Sequence, residues 1–309
     1  MDRILSAVFV MIWSSGFLIG SVATRHVPPF ALSFWRFVAA GVILTAVAVA
    51  LQRQWPRQAA GWRDAAVAGV LLQGLQFGAG YLAMAWGVSP GLVALLVCSA
   101  PVLVAILAGP LLGERLGRRG WVGTLLALAG VVVVGNEHLH GGGSVSGLMA
   151  AVVASVSLAA GTIYQKRSGA AVDVWPGAAV QAFAAAAVVA PATLLLEGGP
   201  EIPSDGVGVA AWGWLTVINS VVGVAVLLVM LRRSAGTAVS GLLYVVPPAT
   251  VLLSVPVLGQ QIDVGTVAGL VLTLVGAVLV DRAVGRSVRP DHRISSARGG
   301  DHGMAAPSG

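Results

Sequence analysis

Ten runs of about 20 mostly apolar residues fill this chain and leave only short polar joints between them. They lie at approximately 4–23, 30–51, 65–87, 90–112, 120–136, 146–165, 174–196, 209–231, 237–258 and 264–281. A run of that length matches the hydrocarbon thickness of a bilayer, where a helix satisfies its own backbone hydrogen bonds. No run alternates with period two, so a barrel is not indicated and the runs read as helices. Composition agrees: 10% of the 309 residues are charged and mean hydropathy is +0.90. Soluble domains carry roughly 25% charged residues.

Basic residues sort by joint. With the N-terminus on the cytoplasmic side, the inner segments hold Arg3; Arg53, Arg57 and Arg63; Arg115, Arg118 and Arg119; Lys166 and Arg167; Arg232 and Arg233; and five arginines from Arg282 to Arg298. The outer joints carry Glu137, Glu197, Glu201, Asp205 and Asp263, with Arg25 the one basic residue on that side. This bias is the positive-inside pattern. It accounts for the net charge of +6 without nucleic acid. Both termini are expected in the cytoplasm, and the Gly-, Ser- and Arg-rich stretch 284–309 is expected to be a disordered tail. A cleaved leader at 1–23 is disfavoured because the repeat described next uses the first run.

The chain repeats itself. Residues 100–134 align without gaps to 246–280, with Pro101 on Pro247, Pro110 on Pro256, Gly113 on Gly259, Gly123 on Gly269 and Gly130 on Gly276. Two prolines and three glycines in register are costly coincidences, unlike shared Val or Leu. Each half (1–139 and 140–283) then holds five runs, and an odd number turns the second half the other way up. The fold expected is an all-α polytopic membrane protein of ten transmembrane helices in two inverted five-helix repeats. That arrangement is typical of secondary transporters, whose substrate site lies near the midplane between the halves.

Three stretches, "WSSGFLIGS" (13–21), "PPFALSFWRFVAA" (28–40) and the run from Pro101 to Gly130 containing "LLGERL", resemble the EamA-type branch of the drug/metabolite transporter superfamily. The resemblance covers about residues 4–283. It implies a gradient-driven carrier of small metabolites in a bacterial cytoplasmic membrane, with the third, fourth, eighth and ninth helices lining a central cavity. In one respect the chain departs from the family pattern. The acidic residue usual after the second-half glycine is Gln260 here, so Glu114 has no charged mate.

Polar groups inside the membrane are the functional candidates. Arg36 stands about seven residues into the second run, roughly 10 Å from its outer end at 1.5 Å per residue. Two readings stay open: it borders the cavity and attracts a substrate carboxylate, or it snorkels or ties two helices. Tyr81, Trp86, Asn219, Tyr244, Trp13 and Gln76 are the other candidate cavity residues, and Gln73, Gln76 and Gly80 share a helical face. Pro101 and Pro247 are candidate hinges within their spans, and Glu114 is a candidate cytoplasmic gate. Trp212 and Trp214 read as interfacial anchors.

Enzymatic chemistry lacks its parts. All five histidines fall in joints or the tail, Cys98 is the single cysteine, and no P-loop occurs. No cofactor, metal or nucleic acid is expected. The partners expected are a small-molecule substrate and membrane lipid, and a homodimer is compatible with the sequence. A channel, a non-transporting scaffold and a membrane-embedded enzyme are the competing functions.

Overall fold

The computed structural model describes residues 3–112, 117–168, 172–233, 242–260 and 262–287. Every regular element among them is helical. In chain order they are α1 (Arg3–Ala23), α2 (Pro29–Ala50), α3 (Ala59–Gly69), a π-helical segment (Val70–Leu75), α4 (Gln76–Ala85), α5 (Pro90–Cys98) and α6 (Ala100–Leu112). Then come α7 (Arg118–His140), α8 (Val145–Ser168), α9 (Val174–Leu196), α10 (Gly206–Trp214), a second π-helical segment (Leu215–Val222), α11 (Gly223–Arg233), α12 (Val246–Leu258) and α13 (Val264–Ser287). Eight stretches are long and apolar enough to cross a membrane, and two shorter apolar helices, Val246–Leu258 and Val264–Val280, follow them. The chain is a polytopic, all-helical integral membrane protein.

Its side chains are distributed for lipid rather than water. Large apolar groups such as Val132, Leu195 and Val271 face outward, while the helix contacts are built on small ones, among them Ala151, Ala154, Ala182 and Ala185. Without a hydrophobic force between helices, close approach of small residues supplies the packing. One such close approach joins α7 to α13. A Cβ on Gly123 would lie 2.6 Å from the Gly276 carbonyl oxygen, and one on Gly130 would lie 2.5 Å from the Gly269 carbonyl oxygen. The Thr273 hydroxyl also reaches the Ala127 carbonyl at 3.4 Å. Only hydrogen fits between these backbones.

Several span boundaries differ from the sequence reading: the third span begins at Ala59 rather than 65, and the last helix runs to Ser287, past 281 and into the stretch expected to be tail. The fifth run, expected to end near 136, continues as α7 to His140, so "EHLH" forms a helix end rather than a loop. The His140 Nδ1 sits 2.9 Å from the Asn136 carbonyl, and no group of three or more metal-ligating residues occurs among the described residues. In the ninth run regular helix is seen over Val246–Leu258, after a turn at Tyr244–Val245, and 237–241 lie outside the described residues. Glu114 and the tail from 288 also lie outside them.

The two candidate hinge prolines do not lie inside continuous helices. α5 ends at Cys98, Ser99 forms a turn, and α6 begins at Ala100, which puts Pro101 second in a new helix. Pro247 is likewise second in α12. A proline in the first turn removes no intrahelical hydrogen bond, because that N–H has no partner in any case. Each proline therefore starts a helix after a break instead of bending a continuous one.

The two ends of the bundle differ in charge. One end carries Arg53, Arg57, Arg63, Lys166 and Arg167; the other carries Glu137, Glu197, Glu201, Asp205 and Asp263. At the acidic end α2 starts with Pro28–Pro29 and has no cap of its own. Glu197, just past α9, supplies one: Phe30 and Ala31 donate their N–H groups to its two carboxylate oxygens at 2.9 and 2.7 Å. Burial pushes this carboxyl above the usual carboxylate range, against the pull of those two N–H groups. Asp205 caps α10 through the Val207 and Gly208 N–H groups and faces His26 at 3.2 Å. Led by the Gly208 N–H, these partners hold its carboxyl below the usual range.

Candidate functional site

Arg36 is 3% exposed, so it does not snorkel. α2 delivers it to a point where α4 and the second π-helical segment converge. Its Nε donates to the Ser220 hydroxyl at 3.0 Å, and its Nη1 donates to the Tyr81 hydroxyl. The guanidinium carbon lies 4.3 Å from the centroid of Phe77, 5.3 Å from that of Phe37 and 5.8 Å from that of Tyr81. The ring faces attract the cation, yet they do not neutralise it. Among the described residues no carboxylate lies within 4.0 Å of Arg36.

The supporting geometry is local. Phe77 and Tyr81 are one helical turn apart and present their rings to the same side. Ser220 donates its own proton to the Leu215 carbonyl, five residues back, at 3.1 Å. That bond follows from the widened turn and leaves the oxygen lone pairs for Arg36. π-helical segments of this kind recur at functional sites.

The remaining candidates are spread over the bundle. Asn219 adjoins Ser220 and donates from Nδ2 to the Ile12 carbonyl at 2.6 Å, while its buried Oδ1 has no partner among the described residues. Trp13 stacks on Phe9 at 4.2 Å in a cluster with Met230. Tyr244 is buried beside Val102, Ala127 and Ala277, in a separate cluster. Gln76 is buried. Gln73 instead reaches across to Gln181 on α9 at 3.2 Å. The π-helical segment ends between Gln73 and Gln76, so a simple helical phase does not place both on one face. Trp86 is 46% exposed at the acidic end, where it lines a cavity of about 470 Å³ with Glu137, His138, Gln260 and Asp263.

Trp214 is half exposed and donates to the Ser15 hydroxyl at 3.0 Å, but Trp212 departs from the anchor expected. Its indole packs against the main core cluster, and its buried Nε1 has no partner among the described residues. Phe77 went unnoticed in the sequence. The signal for it was its spacing of four residues from Tyr81 on the same helix.

At the basic end a second cavity, about 750 Å³, is lined by Arg53, Trp55, Arg57, Asp64 and Asp173 among others. Asp64 closes its floor: the Tyr164 hydroxyl donates to its Oδ1 at 2.8 Å, and Arg63 donates to the same oxygen from Nε and Nη2 at 3.1 Å each. This carboxylate ties α3 to α8. Tyr164→Phe keeps the ring and removes the tie. Hydrogen exchange of the detergent-purified protein should then speed up over 59–69 and 160–168, with the acidic end unchanged; identical exchange over both segments would show that the tie is inert.

The comparisons follow this architecture over most of its length. The uncharacterized inner membrane transporter YedA of Escherichia coli (strain K12) is 26% identical over 264 residues, which is 84% of this chain and 83% of that one. The uncharacterized transporter YvbV of Bacillus subtilis (strain 168) is 25% identical, covering 90% of each chain. A probable amino-acid metabolite efflux pump of Salmonella typhimurium (strain LT2) is 25% identical, covering 95% of this chain and 98% of its own. One crystal structure superposes with a TM-score of 0.65 at 21% identity, over 93% of this chain and 98% of that one, a likeness of fold alone. The model of the EamA-like transporter family matches twice, at residues 3–136 and 145–281. With its two halves each matched in turn, the chain belongs to the EamA-like transporter family.

Proposed function

We propose that this protein is a secondary transporter, an exporter or exchanger of small organic metabolites that are amino-acid-like or amphipathic. It works by alternating access through ten membrane-crossing helices arranged as two inverted five-helix repeats, 1–139 and 140–283. One observation carries the reading: the interruptions of regular helix come in matched pairs. Ala100 and Val246, the starts of the two helices with proline second, are 146 residues apart. Moved by the same 146 residues, the π-helical segment Val70–Leu75 falls on 216–221, inside the second one. Discontinuous helices at equivalent places in two halves are how such carriers build a site between them.

Other features support the same architecture. The glycine contacts between α7 and α13 are crossed, 123 with 276 and 130 with 269, as a two-fold axis between the halves requires. The basic end faces the cytoplasm by the charge bias, which puts both termini there. Pro101 and Pro247 serve as hinges, because a proline at a helix start leaves the preceding turn free to move. Amino-acid-like solutes are favoured by the name of the Salmonella relative.

Counterflow in proteoliposomes tests the proposal. Liposomes preloaded with an unlabelled amino acid should accumulate the labelled form transiently above equilibrium, and empty ones should not. Uptake that ignores preloading would mean a channel, and no uptake across a broad solute panel would overturn the carrier reading.

A further inference from the structure

The Arg36 site holds more hydrogen-bond donors than the protein spends. A guanidinium has five N–H groups. Two of these have acceptors, Ser220 and Tyr81, which leaves three without one among the described residues. Tyr81 accepts from Arg36 through its oxygen, and its own proton has no acceptor among the described residues. It is 1% exposed, so solvent does not take that proton freely. The excess is therefore of two kinds, a full positive charge and a set of donors, in one enclosure walled by Phe37 and Phe77.

Burying a cation without a counter-ion is costly, and a bundle that only needed to join α2 to α4 and to the second π-helical segment could do so with neutral groups. One ligand removes both excesses together. A carboxylate offers two oxygens in a plane that match the guanidinium fork, and a third donor on the phenol fits its remaining lone pairs. A neutral solute leaves the charge as it was, and a cation makes it worse.

Resting on the transporter reading above, we infer that Arg36 and Tyr81 form a carboxylate-binding subsite and that the substrates carry a carboxylate group. Ser220 is the positioning residue: its bond to Leu215 aims an oxygen at Arg36 Nε, which fixes one edge of the guanidinium and leaves the Nη2 group for a ligand. Phe37 and Phe77 exclude water and keep the charge effective.

Binding can be tested apart from transport by thermal shift on the purified full-length protein, using matched pairs: phenylalanine with phenylalaninamide, and 3-phenylpropionate with its amide. A ligand that prefers the folded state raises its midpoint by mass action. The acids should raise the midpoint of the wild type at concentrations at which their amides do not. Tyr81→Phe should weaken the acids roughly tenfold and leave the amides as they were. Arg36→Gln should abolish the difference between acid and amide, with Arg36→Lys intermediate. If Arg36→Gln does not fold, Tyr81→Phe, which keeps the ring, decides by itself. Equal shifts by acids and amides in the wild type would overturn the inference, as would discrimination that survives both Arg36→Gln and Tyr81→Phe. Counterflow of amides alone would overturn it while leaving the carrier intact, and acid-specific shifts without any counterflow would do the reverse.

Discussion

The Gly130→Val protein should be nearly absent from membranes, and what remains should melt far below the wild type. The added Cβ would lie 2.5 Å from the Gly269 carbonyl oxygen and would also run into Thr273. The obstacle is backbone, so no rotamer change relieves it. α7 and α13 must separate along the crossing, giving up the Gly123–Gly276 approach and the bond from Thr273 to Ala127 as well. Overpacking of this kind costs on the order of 3 kcal/mol or more, a large part of the stability of most folds. Gly213→Ala is the control, since nothing lies within 4 Å of a Cβ there and a helix interior gains up to about 1 kcal/mol from the change. Membrane abundance and the fluorescence-detected melting midpoint give the comparison. A Gly130→Val protein with wild-type values in both would disprove the close-packed crossing.

Glu197→Ala should cost about 1 kcal/mol at neutral pH, the usual value of a lost helix cap. The first two free N–H groups of α2 lose the carboxylate that now takes both, and α2 is the helix that carries Arg36. Partial exposure of the carboxylate limits the electrostatic share. The pH dependence has a definite sign. A carboxyl whose value is raised in the folded state takes up a proton on folding. Its contribution is fully present below the ordinary glutamate value and is lost as pH rises through the raised one. The gap in melting midpoint between wild type and Glu197→Ala should therefore be widest in acid and narrow towards neutral pH. A gap that widens instead as pH rises would mean that the two N–H groups, not burial, dominate this carboxyl.

Much of this fold could be read from the sequence because a bilayer forces length, polarity and charge to alternate. Run lengths and arginine positions are local quantities, and the repeat shows through Pro101, Pro247 and the glycine pairs without any knowledge of contacts. The site was legible only as a question. Arg36 announced itself as a lone charge, but its partners Tyr81 and Ser220 stand 45 and 184 residues away. No pattern in one sequence selects them over Trp86 or Tyr244, which the fold sends to the acidic end and to a separate cluster. The π-helical segments have no residue signature either, and they undid the face drawn through Gln73 and Gln76. Glu197 looked like one more outer acid. Its use as a cap for α2 depends on how α9 ends beside the start of α2, which is a tertiary fact.

The crossed glycines couple the two stretches that the sequence repeat aligns. Gly123 and Gly130 lie seven residues apart on α7, as Gly269 and Gly276 do on α13, and each meets the non-equivalent member of the other pair. A side chain added at any one of the four positions meets backbone of the opposite helix, so a change on one side alone is not accommodated. Arg36 and Gln181, aligned with each other at an offset of 145, are different residues that bond elsewhere, Arg36 to Ser220 and Tyr81 and Gln181 to Gln73. The crossing carries the same residue on both sides of the repeat, and the buried cation does not.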